Sequence, residues 1–160
     1  DPLRLVAGAG RARVSLTSDG GETWRAAGEG LPERQLRRVV TSRHDAERVY
    51  VCLSGQGEGD HRPYLYRSDD IGRCWTDLGR GLPHAPVNVV VEDPAADGRI
   101  YLGSDLGVCS SSDGGESWSS LSSGLPTAPV VYLALHAGSA TLVAVTHGLS
   151  AFALDVSSVR

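Results

Sequence analysis

Short apolar runs alternate with polar, glycine-rich breaks along the whole chain. The runs have strand length and the breaks carry turn residues. Strands are expected at residues 3–7, 11–16 and 24–27, then at 36–41, 48–53, 64–67 and 74–78. A third group falls at 87–92, 99–103, 107–110 and 118–121, and a fourth at 130–135, 141–146 and 151–154. The stretch 87–91, VNVVV, is nearly all apolar, as in a strand covered on both faces. The groups repeat one plan, so the chain reads as all-β and built from similar units. The first group lacks an innermost strand and the last lacks an outermost one.

A polar motif punctuates these groups at fixed places. Residues 17–24 read TSDGGETW, 68–75 read SDDIGRCW and 111–118 read SSDGGESW. The shared template is a hydroxyl residue, any residue, Asp, any residue, Gly, any residue, a small residue, Trp. Each copy is followed by Gly-Leu-Pro, at 30–32, 81–83 and 124–126. Asp accepts hydrogen bonds from nearby backbone N–H groups, and Gly tolerates positive φ. Each copy therefore predicts a hairpin turn pinned by Asp19, Asp70 or Asp113 and bent at Gly21, Gly72 or Gly115. Trp24, Trp75 and Trp118 are expected to anchor neighbouring sheets. A repeat of this regularity describes a fold before it describes a function.

The template resembles the Asp-box, or BNR, repeat of sialidase-like β-propellers. With its Gly-Leu-Pro tails the chain is similar to WD40/YVTN/BNR-like proteins and to the wider group of sortilin-type domains, xyloglucanases and photosystem II assembly factors. The resemblance implies a β-propeller of four-stranded antiparallel blades, with about three and a half blades present. The approximate blades are residues 1–30, 31–81, 82–124 and 125–160. Closed propellers have four to eight blades, so the chain is expected to be the C-terminal part of a larger ring of six to eight. The remainder, in the same parent chain or as a second copy, is the first expected partner. In that group the Asp-box is structural and lies on the face away from the ligand site. The closing stretch LVAVTHGLSAFALD also resembles the end of such proteins, but Val145 replaces a Gly and Leu149 an Arg of the family pattern.

Composition narrows the functional classes. The chain has 160 residues, 41% of them hydrophobic and 21% charged, enough for one modest domain with a core. Its net charge of −4 with dispersed signs argues against nucleic acid as a partner. No apolar run approaches the roughly 20 residues of a membrane-spanning helix. Cys52, Cys74 and Cys109 have no metal-ligand spacing. They read as free thiols, with a Cys52–Cys74 or Cys74–Cys109 disulfide as the alternative. No metal site and no cofactor is expected, and an extracytoplasmic location is implied only by the resemblance.

The repeat also directs attention to the opposite face, where the other hairpins and the connections between units meet. There the second unit carries eight more residues than the third, all between 54 and 63, SGQGEGDHRP. This stretch is expected to be a loop overhanging the channel, with Glu58, Asp60, His61 and Arg62 as candidate ligand-binding residues. Asp105 and His147 hold the equivalent places in the third and fourth units. Arg34, Arg37 and Arg38 form a basic cluster beside them, suited either to a carboxylate ligand or to salt bridges between blades. No catalytic residue is identified: no nucleophile elbow, HExxH, P-loop or calcium-loop pattern occurs. The expected function is a non-catalytic binding or scaffold propeller for a protein, peptide or glycan. The alternative is part of a sialidase- or xyloglucanase-like glycoside hydrolase with its catalytic residues mostly outside this chain.

Overall fold

The computed structural model describes residues 3–159; Asp1, Pro2 and Arg160, at the ends of the first and last expected blades, lie outside the described residues. Among the described residues the strands form four antiparallel sheets in succession. The first holds β1 (Leu5–Ala9), β2 (Arg13–Thr17) and β3 (Arg25–Ala26). The second holds β4 (Gln35–Thr41), β5 (Val49–Gly55), β6 (Asp60–Ser68) and β7 (Thr76–Asp77). The third holds β8 (Val87–Glu92), β9 (Ile100–Ser104), β10 (Gly107–Ser111) and β11 (Ser119–Ser120). The fourth holds β12 (Val130–His136), β13 (Thr141–Thr146) and β14 (Ala151–Asp155). Each is a meander whose strands lie in chain order, and β8 touches both β4 and β12. This is a partial β-propeller, with β4, β8 and β12 as inner strands. Among the described residues the first sheet has three strands with β1 innermost and the fourth has three with β14 outermost.

Period-two alternation explains the stacking. On β5, Val49, Val51 and Leu53 face the first sheet, while Tyr50 and Cys52 face the third. On β9, Ile100 and Leu102 face the second sheet and Tyr101 faces the fourth. Both faces are buried, so these strands read as continuous apolar runs. Three cores result, one between each pair of neighbouring sheets.

The three repeated turns share one hydrogen-bond scheme. Thr17 Oγ1 accepts from the N–H groups of Asp19 and Gly21 and donates to Asp19 Oδ1. Ser68 and Ser111 do the same for Asp70 with Gly72 and for Asp113 with Gly115. The carboxylates then accept from downstream amides: Thr23 N at 2.9 Å, Cys74 N at 2.9 Å and Ser117 N at 3.0 Å. The template's small position is a side-chain donor, since the hydroxyls of Thr23 and Ser117 also reach the carboxylate. These bonds stabilise the ionised form. The amide of Cys74 and the hydroxyl of Ser68 hold Asp70 down to a pKa of about 2. Side-chain bonds from Thr17 and Ser111 likewise hold Asp19 and Asp113 well below the usual carboxylate range.

Three expectations change. Trp75 and Trp118 do anchor the preceding sheet, donating Nε1–H to Ala27 O at 2.9 Å and to Leu78 O at 3.0 Å. Trp24 does not: it is 46% exposed and bonds to Gly21 O of its own turn, because no sheet lies against it. The outer strands are two residues long rather than four or five, since the preceding turn takes up their first residues. The loop expected at 54–63 is largely a hairpin extension. β5 runs to Gly55, a 3₁₀ turn covers Gln56–Glu58, and β6 resumes at Asp60. Gly59, at φ +73°, closes that turn, and the excess residues bulge between the pairs Leu53–Tyr64 and Gly55–Asp60. No disulfide forms: all three cysteines are free, and burial pushes the Cys52 thiol up to about 12.

Opposite the channel mouth, the second and third sheets are joined by charge. Glu92, with a side chain only 2% exposed, accepts from Ser42 Oγ, Arg43 N and Tyr50 Oη and lies 3.7 Å from Arg48. Arg48 also reaches Asp69 at 2.8 Å and Asp97 at 2.5 Å. Replacing Arg48 with Met leaves Glu92 buried without its cation. Chemical denaturation should show a loss of roughly 3 kcal/mol. Two glycine substitutions separate turn strain from packing. Gly30 and Gly72 both have positive φ, but an added Cβ meets nothing at Gly30, whereas at Gly72 it meets Ala27 Cβ at 2.7 Å. Gly30→Ala should cost about 1 kcal/mol and Gly72→Ala about 3 kcal/mol in the same assay.

Candidate functional site

The short hairpin turns after β1, β5, β9 and β13 and the connections entering β4, β8 and β12 share one end of the sheets. Backbone bonds tie them together: Ala12 N donates to Arg34 O, Asp105 N to Pro86 O and His147 N to Pro129 O. Three of the four hairpins are thereby seated against the connection that feeds their own sheet or the next one, and the hairpin after β5 is tied to its connection by side chains, Arg34 to Asp60.

Asp60 is the hub of this end. Arg62 approaches it through Nε at 3.0 Å, Nη2 at 2.8 Å and its backbone N–H at 3.1 Å. Tyr64 donates its hydroxyl to Oδ2 at 2.6 Å, and Arg34 Nη2 lies 3.2 Å from the same oxygen. The guanidiniums of Arg34 and Arg62 also pack over the Tyr64 ring, at 5.7 and 5.5 Å from its centroid. Arg62 first, then Tyr64, hold the Asp60 carboxyl far below its usual range. Glu58 extends the network, pairing with Arg11 of the first sheet and with Arg34 Nη1 at 3.1 Å. A second chain of bonds runs to the third sheet: Arg37 to Gln56, Gln56 to Asp105, and Asn88 to Asp105 at 2.8 Å.

Of the six candidates, Glu58, Asp60 and Arg62 come together in one cluster, and Asp105 belongs to the second chain of bonds, through Gln56 to Arg37. His61 and His147 are exposed and stand outside it, with no ring hydrogen bond among the described residues. The three-arginine cluster divides. Arg34 is consumed by ion pairs, Arg37 bonds among the described residues to Gln56, and Arg38 stacks over Tyr132 at 5.6 Å from the ring centroid. Sequence reasoning missed Gln56, Tyr64, Asn88 and Tyr132. Asn88 carried a signal as the one polar residue in the run VNVVV; Tyr64 looked like ordinary strand.

Two concavities adjoin these residues. A shallow cleft of about 270 Å³ is lined by Arg11, Gln35, Arg37, Ser54 and Glu58. A longer groove of about 430 Å³ runs along the inner strands, past Arg38, Val40, Val91, Tyr132 and His136. Both are open, and arginine is the cation at each. Among the described residues no group of three His, Cys, Asp or Glu side chains converges to hold a metal ion.

No protein-family model and no curated relative matches the sequence. Solved structures do. The xyloglucanase of family GH74 from Xanthomonas campestris superposes with a TM-score of 0.73 at 19% identity, covering 98% of this chain and 28% of that one. YCF48 bound to a D1 peptide gives a TM-score of 0.66 at 18% identity, covering 91% of this chain and 45% of that one. YCF48 from Cyanidioschyzon merolae gives 0.64 at 21%, covering 91% and 47%. The likeness establishes the β-propeller fold. This chain spans between about a quarter and a half of the length of these neighbours.

Because the pKa of Asp60 is depressed in the folded state, its contribution to stability is complete above the ordinary carboxylate range near pH 4 and is lost as pH falls below it. The wild-type protein should therefore lose stability on acidification from about pH 5 to pH 3 more steeply than Asp60→Asn. Urea denaturation at stepped pH compares the two slopes.

Proposed function

We propose that this chain is part of an Asp-box β-propeller that binds, without catalysis, an acidic peptide segment at the channel mouth. Three observations support the reading, and the cleft between Arg11 and Arg37 carries it. Arg37 spends its guanidinium on a neutral amide, Gln56, and Arg38 on a ring, so both keep donors for a carboxylate. The Asp60 network braces the cleft and limits the rearrangement needed on binding. One structural neighbour, YCF48, was solved with a peptide bound. In this reading the blades are residues 1–30, 31–81, 82–124 and 125–160 of a ring of six to eight. His61 and His147 border the ligand, and Glu58, Asp60 and Asp105 orient the arginines.

The second reading, a portion of a glycoside hydrolase, draws on the xyloglucanase neighbour. Such hydrolysis needs one carboxylic acid kept protonated and a second carboxylate across the scissile bond. Asp60 is held ionised and Glu58 is paired twice, so neither suits the acid role. On this second reading neither of these two is the general acid, and the catalytic residues lie mostly outside this chain. A glycan in place of the peptide would use Asn88, Gln56 and Asp105 instead of the arginines.

Fluorescence anisotropy with labelled peptides of equal length tests the proposal. An Asp/Glu-rich peptide should bind at least tenfold more tightly than its Asn/Gln counterpart, and Arg37→Ala should remove most of that difference. Equal affinity for both peptides, or turnover of aryl-glycosides lost in Glu58→Gln, would overturn it.

A further inference from the structure

At their turn ends, neighbouring sheets meet in joints that correspond position by position. Leu5, Val49 and Ile100 pair with the hydroxyl residues Thr17, Ser68 and Ser111, so Arg4, Arg48 and Arg99 are equivalent. At the joint between the second and third sheets, Arg48 meets three carboxylates, Asp69, Glu92 and Asp97. Arg67 shares Asp69 with it at 2.9 Å and donates to Gly114 O. By the same register, the joint between the first and second sheets has Ser18, Thr41 and Ala46 in those three places. All three are neutral, yet arginines gather there as well. Arg4 donates to Ala46 O at 3.3 Å, where Arg48 finds Asp97. Arg25 donates to Ile71 O, the counterpart of Gly114 O. Arg73 is exposed and its guanidinium makes no bond among the described residues; Glu116 holds its place in the next turn.

These three arginines border a cavity of about 230 Å³ that also touches Thr17, Ser18 and Ile71. Among the described residues no aspartate or glutamate lines it. The acidic neighbour, Asp19, spends its carboxylate inside its own turn, on the Thr17 and Thr23 hydroxyls and the Thr23 amide. The Ser18 hydroxyl, in the place of the Asp69 carboxylate, has no partner among the described residues and is free to donate. One wall is strained: Ile71, a β-branched residue, holds φ +58° where the sister turns have Gly20 and Gly114. We infer that this cavity between the first and second sheets binds a tetrahedral dianion, a phosphate or sulfate group, in the place that Asp69 fills one joint later. A single carboxylate serves two guanidiniums at the later joint. Three guanidiniums and a hydroxyl donor call for more charge and more acceptor atoms, which a tetrahedral dianion supplies and one carboxylate does not. The site lies at the opposite end of the sheets from the channel mouth and shares no arginine with it.

Isothermal titration calorimetry of the intact chain with inorganic phosphate and with sulfate, at constant ionic strength set by chloride, tests the site. Both ions should bind saturably, and acetate, a single carboxylate, roughly tenfold more weakly. Arg73→Gln should weaken phosphate binding roughly tenfold, the effect of one lost charged hydrogen bond, and leave the melting temperature of the phosphate-free protein unchanged. Ser18→Asp supplies the carboxylate found at the later joint. It should abolish phosphate binding and raise the melting temperature of the phosphate-free protein. Arg37→Ala, at the channel mouth, should leave phosphate binding as it is. Phenyl phosphate separates the sources of the group. An ester bound as tightly as the free ion points to a phosphorylated partner, its exclusion points to free phosphate, and either supports the site. No saturable binding above the chloride background would overturn the inference. So would a phosphate affinity unchanged in both Arg73→Gln and Ser18→Asp, or one lost in Arg37→Ala.

Discussion

A sheet that is apolar on both faces cannot stand alone, and that constraint shapes this molecule. Val51 looks one way into the first sheet while Cys52, its neighbour, looks the other way into the third. Each fully buried Val or Leu contributes about 1.5–3 kcal/mol, so leaving either face bare forfeits much of the stability of a sheet. Repetition follows: the core of one unit is completed only by the next. The polar turns are subordinate to that stacking. They do not drive it, but they bring Trp75 and Trp118 to the rim, where each indole spans the gap between sheets and finds a carbonyl on the far side.

The two ends of the sheets are fastened by charge, and in different ways. At the turn end, Arg48 gathers Asp69, Asp97 and the buried Glu92. At the channel end, Arg34 and Arg62 enclose Tyr64 and converge on Asp60. All 15 basic residues are arginine and none is lysine. Planar guanidinium suits both ends, since it bonds two-pronged to carboxylates and stacks on rings where an ammonium does neither as well. Exposed pairs of this kind add little stability one by one. Their effect is to fix the angle and register of one sheet against the next.

Much of the fold was legible because it rests on short-range chemistry repeated in register. Asp at the third template place and a hydroxyl at the first are both demanded by one turn, and the turn spacing sets the sheets. The misreadings have physical causes. Trp24 matches the template in every respect, yet it stays exposed, because among the described residues no neighbouring sheet packs on it and the motif itself does not record that. The stretch 54–63 has a loop-like composition, but Asp60 is drawn into β6 by Arg34, which lies 26 residues away in the chain. The channel-end cluster was half legible. Charged residues in hairpins announced themselves, whereas Tyr64 and Asn88 sit within strands and show their roles only once neighbouring sheets bring Arg34 and Asp105 to them.

The net charge of −4 conceals an uneven distribution that bears on what the channel end can attract. The turn-end network sets eight carboxylates, at 19, 45, 69, 70, 92, 93, 97 and 113, against five arginines, at 43, 48, 67, 73 and 99. The channel-end network sets five arginines, at 11, 34, 37, 38 and 62, against three carboxylates, at 58, 60 and 105. For the acidic peptide of the binding proposal, such a distribution would favour approach to the channel end over the turn end before any contact forms. Screening confines this to about 10 Å at 0.1 M salt, so it orients the encounter and does not by itself provide affinity. In the binding proposal, affinity comes from guanidiniums that lack a carboxylate, such as Arg37 in the cleft and Arg38 on the groove wall. On the binding proposal, a ligand that satisfies both would run from the mouth along the inner strands, a path that suits an extended peptide better than a single sugar ring.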